Sequence, residues 1–415
     1  MTFRIYSRFL THSLLVIFSI LSPVSFADEL RIKGFLSQGY LESSHYNYLA
    51  DSEDGDFAFS ELAINASWTP LDRTTINGQV FAFELGPYGN YEPILDYLFL
   101  DYSPRKEFGI RLGRIKRELG IYNHIQDIDL SRTAILLPMG MYDQRYRDST
   151  AALDGLSTYG TLKLAQGHSI DYNIYGGIYS LENDGGIAGF ALSGISRTSI
   201  NARVEEIITD YNVGFQFWYN PTIEGLRLGL GLSYYPNVTL NTASEFPDQF
   251  PIPQLAGQTY RSYNTNINNQ GARLSAEYFI GNWNFAAEFN QNKINRDLHS
   301  TIGGNPLFSG RGYRGYNAWY TSIARRFGPV ETALTYSNYQ DTSIPLPGTP
   351  PIIPDSNYSR DIQISFRYDV TDYWTLKLEN HSIQGTGRLF NQYLQNPVLD
   401  ESSWSLWSLK NTFYF

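Results

Sequence analysis

Residues 226–234 read Leu-Arg-Leu-Gly-Leu-Gly-Leu-Ser-Tyr, a run in which every second side chain is apolar and those between are small or polar. A strand sends successive side chains to opposite faces, so this run presents one face to an apolar surrounding and the other to water. The same dyad sets Ile362, Ile364, Phe366, Tyr368 and Val370 against Asp361, Gln363, Ser365, Arg367 and Asp369. It also sets Trp283, Phe285, Ala287 and Phe289 against Asn284, Ala286, Glu288 and Asn290. Followed along the chain, it predicts sixteen strands, over 30–41, 57–69, 74–85, 94–102, 107–116, 155–165, 168–180, 206–219, 225–235, 262–279, 282–294, 313–326, 329–339, 358–370, 373–384 and 402–415.

The connections between these strands alternate between short and long. Tight turns fall at Pro70–Arg73, Ser103–Lys106, Gln166-Gly167, Asn220–Glu224, Gly281-Asn282, Gly328-Pro329 and Thr371-Asp372, where Gly, Pro, Asn and Asp supply turn dihedrals. Segments 42–56, 117–154, 236–261, 340–357 and 385–401 are long. This predicts an all-β fold, a transmembrane antiparallel β-barrel with periplasmic turns and long external loops. A further hairpin from 181–205 would raise the count to eighteen. At sixteen to eighteen strands, wall side chains cannot fill the interior. The longest loop, 117–154, is the third external one, and it is expected to fold into the pore as its constriction.

The two ends of the sequence agree with export. Arg4 and Arg8 precede an apolar run from Leu14 to Leu21, then Pro23 and Ser25-Phe26-Ala27, the pattern of a cleaved secretory signal peptide over 1–27. The barrel is expected over 28–415, and no later stretch is apolar enough for a spanning helix. Loss of two arginines and no acids takes the formal charge from −10 to −12, which argues against nucleic acid as a partner. With no cysteine, there is neither a disulfide nor a thiolate metal site. Trp407, Leu409, Phe413 and Phe415 share one face of the last strand, an ending that resembles the signal read by the barrel assembly machinery of the bacterial outer membrane. Thirty-two Tyr, 25 Phe and 7 Trp suit aromatic girdles in contact with outer-membrane lipid.

Charge concentrates where the expected constriction lies. Arg111, Arg114, Lys116, Arg117, Arg132, Arg145 and Arg147 are interspersed with Glu118, Asp127, Asp129, Asp143 and Asp148. Rows of opposite charge across a narrow zone orient small polar solutes, and an excess of one sign selects ions. On a strand, Arg114 and Lys116 share one face, and Arg111 and Arg117 the other. Taking Ile115 as lipid-facing puts Arg114 and Lys116 in the lumen. The acids of Asp51–Asp56 suit a solvated external loop better than a cation site, and Arg261, Arg273 and Lys293 could extend a basic path toward the mouth. Enzyme signatures are wanting: His381 and His168 have no convincing nucleophile, and no zinc spacing, phosphate loop or Gly-x-Ser-x-Gly elbow occurs. No cofactor is implied.

The segments Lys33–Leu41, Gly113–Lys116, Gly120–Asn123, Asp129–Arg132, Leu136–Pro138 and Tyr142 resemble the porin family that includes the DcaP-like dicarboxylate porins and the phosphate-selective porins, most clearly over about 31 to 147. The resemblance implies a Gram-negative outer-membrane homotrimer of sixteen-stranded barrels, with basic residues on the constriction loop. It implies passive diffusion of small polar or anionic solutes, organic anions among them. Two other readings are a barrel acting through its external loops as adhesin, receptor or structural protein, and a channel for sugars or hydrophobic compounds with residues such as Trp319 and Trp374 along the lumen.

Overall fold

The computed structural model describes residues 30–193, 200–345, 355–390, 396 and 398–415; the expected signal peptide lies outside them. Its strands are β1 (Leu30–Ser43), β2 (Phe59–Leu71), β3 (Thr74–Leu85), β4 (Ile94–Arg105), β5 (Phe108–Lys116), β6 (Ala152–Lys163), β7 (Ser169–Ile178), β8 (Ile200–Ile208), β9 (Tyr211–Asn220), β10 (Leu226–Glu245), β11 (Thr259–Ile280), β12 (Trp283–Ile302), β13 (Asn305–Phe327), β14 (Val330–Asp341), β15 (Tyr358–Thr371), β16 (Trp374–Gln384) and β17 (Ser403–Tyr414). Every pairing is antiparallel, and β17 returns to β1 with Phe35 opposite Tyr414 and Ser43 opposite Leu406. Closure removes the sheet edges. Sixteen strands form the barrel; β7 pairs directly with β9, and β8 lies outside it.

The dyads sort as expected. Leu228, Leu230, Leu232, Ile362, Ile364, Phe366, Trp407, Leu409 and Phe413 are exposed on the outer face, while Ser233, Asp361, Gln363, Ser365, Ser408, Lys410 and Thr412 are buried inside. An exterior this apolar suits a bilayer. No helix among the described residues is long and apolar enough to cross a membrane.

Three expectations need correction. The connection expected over 295–312 is strand: β12 and β13 run up to the two-residue tip Gly303-Gly304, whose φ values of 54° and 84° suit a turn needing two left-handed residues. The loop expected over 236–261 shrinks to 246–258 because β10 and β11 are also prolonged. Register shifts after Tyr235 and between Thr265 and Asn268 break the alternation there, and above the bilayer an outward side chain need not be apolar. The strand expected over 206–219 divides into β8 and β9. β8 pairs with the outer part of β10, Thr239 through Glu245. The hairpin considered over 181–205 is instead the helix Gly186–Ser193 followed by β8.

Candidate pore constriction

Loop 3, residues 117–151, enters the barrel and crosses it. Two inward carboxylates on the wall hold it. Glu288 of β12 accepts from the Ile121 N–H at 3.0 Å, Ser275 Oγ at 2.6 Å, Tyr320 at 2.9 Å and the Tyr142 hydroxyl. Glu379 of β16 accepts from the Ile135 and Leu136 N–H groups at 2.8 and 2.9 Å, from Ser365 Oγ at 2.7 Å, and shares a hydrogen bond with His381 Nε2 at 2.9 Å. Each carboxylate therefore satisfies backbone donors that the irregular loop cannot pair within itself.

Basic wall residues hold the loop's carbonyls. Lys377 Nζ donates to the carbonyls of Asp129, Arg132 and Ala134 at 2.7, 2.9 and 3.2 Å. Arg367 donates to Leu130 at 2.7 Å, and Arg273 to Leu119 at 2.9 Å and Met141 at 3.3 Å. Lys410 pairs with Glu61 at 2.6 Å and Asp129 at 2.9 Å. These contacts reach the wall from β11 round to β17, so the loop spans the lumen. Apolar packing adds to them: Ile135, Leu136 and Met139 join Tyr46, Tyr48, Leu49, Leu389 and Trp404 in one buried cluster formed with the first and last external loops.

The seven basic residues of the sequence reading do not form one site. Lys116 and Arg147 come together around Asp96 and Asp127: Lys116 lies 2.8 Å from Asp127 and 3.4 Å from Asp96, and Arg147 bonds both acids. Two cations thus face two anions beside Phe81. Arg111 pairs with Asp101 at 3.0 Å and Glu118 at 2.9 Å and covers Tyr159. Arg132 is buried on Asp129 and on the Gln126 and Ile135 carbonyls. Arg145 is locked on Asp143 and stacks on Phe390, and Arg117 lies buried against Tyr235, bonded to the Ser149 carbonyl.

Ile115 corrects the assumed facing. It is fully buried with Leu153, Tyr175 and Tyr235, whereas Arg114 lies in the row of exposed Leu112, opposite exposed Leu98. Its partner Asp154, 3.4 Å away, has a side chain 53% exposed. The mouth interior is apolar because loops fill it, so an inward isoleucine there does not mark lipid. Lys293 is likewise exposed in the outward row of Phe285 and Phe289, and Arg273 anchors the loop; Arg261, Arg273 and Lys293 form no continuous path. Trp319 is exposed outside and Trp374 stacks on outward Phe413, which removes the support for a lumen lined by those tryptophans. His381 sits between Asp361 at 2.7 Å and Glu379, so both ring nitrogens have partners.

Gaps flank the loop. One, bounded by Glu61, Phe81, Gln126, Asp127 and Arg147, has about 20 Å³; another, between Arg132–Leu137 and the β12–β15 wall, has about 50 Å³. Such spaces hold one to a few waters.

Asp148, at the loop's end, carries a pH dependence. One carboxylate oxygen meets the Glu182 N–H at 3.4 Å and the other has no partner. Burial, with Glu182 and Asp184 adding repulsion, pushes its carboxyl up to about 7. A folded-state value above the unfolded one means the folded state binds more protons between roughly pH 4 and 7, so stability falls as pH rises through that window. Relative to Asp148→Asn, the native protein is expected to be nicked faster by protease at 181–185 at pH 8 than at pH 5. An unchanged ratio of rates would remove this role.

No protein-family model and no curated protein sequence matches the chain. Solved structures do match. An anion-selective porin from Comamonas acidovorans aligns over 94% of this chain and all of its own, at 13% identity and a TM-score of 0.55. The outer-membrane channel DcaP of Acinetobacter baumannii aligns over 95% of this chain and all of its own, at 9% identity and 0.52. OmpF of Salmonella typhi, solved with daunomycin, aligns over 95% and 100%, at 12% identity and 0.52. The chain has the fold of the outer-membrane porins.

Proposed function

We propose that this protein is an outer-membrane channel for passive diffusion of small hydrophilic solutes, organic anions among them. The observation that carries the reading is a closed sixteen-stranded wall, apolar outside and polar inside, whose third external loop sets Lys116 and Arg147 against Asp96 and Asp127 within the lumen. Each of these cations is in direct contact with both acids, so the cluster is close to neutral and commits the pore to neither ion sign. The reading includes a homotrimer, export by a cleaved signal peptide and insertion by the barrel assembly machinery.

Single-channel recording of the refolded protein in a planar bilayer, under a salt gradient, tests it. Stepwise openings are expected, with the conductance held down by the loop that crosses the lumen. A folded, heat-modifiable barrel that never opens would sink the channel reading and favour action through the external loops.

A further inference from the structure

Arg325 and Arg326 of β13 stand side by side near the Gly328-Pro329 turn and point to opposite faces of the wall. Arg326 looks inward and pairs with Glu331 at 3.3 Å and with Asp369. Arg325 continues the outward row of Trp319, Thr321 and Ile323 and is exposed. It makes no ion pair and no hydrogen bond among the described residues. Its guanidinium lies instead 4.6 Å from the ring of Trp283, its cross-strand partner on β12, and 4.6 Å from that of Phe327. Arg114, the outward arginine near the other end of the wall, does have a carboxylate, Asp154.

Beside this arginine the outer wall carries a furrow. Ala276, Ala287 and Thr321 occupy one level across β11, β12 and β13, Ala276 pairing with Ala287 and Ala287 with Thr321. Larger side chains rise on both sides of that level. Leu274, Phe289 and Trp319 flank it toward the external mouth, and Tyr278, Phe285 and Ile323 flank it toward the turns. The hollow, closed at one end by Leu334 and Tyr336 of β14, has about 280 Å³. Thr321 and Arg325 are four residues apart on one strand, or about 13 Å. An acyl chain whose headgroup sits at Arg325 reaches the furrow from there.

We propose that Arg325, Trp283, Phe327 and the furrow form a binding site for one phospholipid of the periplasmic leaflet, its phosphate on Arg325 and an acyl chain along Ala276, Ala287 and Thr321. Short turns mark the periplasmic end of an outer-membrane barrel, and the leaflet on that side is made of phospholipid. At this depth an unpaired cation on the lipid face costs little, and it attracts the headgroup phosphate. The guanidinium offers that phosphate a forked pair of donors, and the two rings hold the fork against the wall. Ridges around a floor of small side chains keep the acyl chain in one track, which a flat wall would not do. The site depends on the barrel lying in a membrane and not on whether its lumen conducts.

Lipid binding is read without any current. Phosphatidylglycerol is titrated into the refolded full chain in detergent, and bound lipid is counted by native mass spectrometry. Saturable binding is expected, weakened about tenfold or more in Arg325→Ala. Ala287→Phe, which fills the furrow and leaves every charge in place, should weaken it as well. Arg325→Lys, which keeps the charge but not the fork, should fall between, and Lys293→Ala, which removes an outward cation further up β12, should bind like the native protein. Excess inorganic phosphate should not displace the lipid, because it has no chain to lay in the furrow. Heat-modifiable mobility confirms that each variant is folded. Absence of saturable binding in the native protein, equal binding in Arg325→Ala or in Ala287→Phe, or displacement by inorganic phosphate overturns the proposal. A barrel that binds the lipid but passes no current would keep this site and lose the channel.

Discussion

Excision of residues 119–143, with a short Gly-Ser bridge in their place, is expected to raise single-channel conductance about fivefold or more. The wall is closed by its own strand ladder and does not need the loop to complete it. Without the loop, a sixteen-stranded lumen is too wide for its side chains to fill. The variant should still insert and migrate as a folded barrel, at a lower unfolding temperature. Glu288, Glu379, Lys377 and Arg367 would lose partners but gain water, which limits the cost of leaving them charged. Conductance equal to that of the native protein would show that solute does not pass where loop 3 lies.

The second large effect concerns the two carboxylates that hold the loop. Glu379→Ala leaves the buried N–H groups of Ile135 and Leu136 without acceptors, at about 1–3 kcal/mol each, and strands His381 on Asp361 alone. Glu288→Ala does the same to the Ile121 N–H and to the hydroxyls of Tyr142 and Tyr320. Neither change touches the strand ladder, so the destabilisation falls on the loop. Current recorded from either variant is expected to flicker between levels, with the double variant approaching the excised form. Quiet, native-like openings from both would show that apolar packing of Ile135, Leu136 and Met139 suffices to hold the loop.

The wall was legible because lipid imposes a strict rule on every second residue, and Leu226–Tyr234 or Asp361–Val370 obey it openly. Where the rule lapses, legibility lapsed too. Above the bilayer, β10 to β13 continue as strands with polar outer faces, and shifts beside Asn237 and Asn266, both with positive φ, scramble what periodicity remains. Within the site, the sequence showed the charges and the loop that carries them. It did not show that Ile115 turns inward, because an apolar side chain can face lipid or a core made by loops, and the strand pattern does not tell them apart. Nor did it show the anchors. Glu288, Glu379 and Lys377 were recognisable as inward polar residues, but their backbone partners lie on an irregular segment whose path no periodicity encodes.

The seam between β1 and β17 has a kinetic consequence. Each other wall strand pairs with the next wall strand along the chain, but this contact joins segments from opposite ends of it, with Gly34 and Phe415 exchanging backbone hydrogen bonds at 2.9 and 3.0 Å. Its loop-closure entropy is the largest in the molecule. Hairpins can zip early and independently, yet the ribbon keeps two exposed edges, β1 and β17, until the seam forms. The molecule's most hazardous moment is therefore a nearly complete ribbon, open along one line, in which a second ribbon could pair as readily as its own far end.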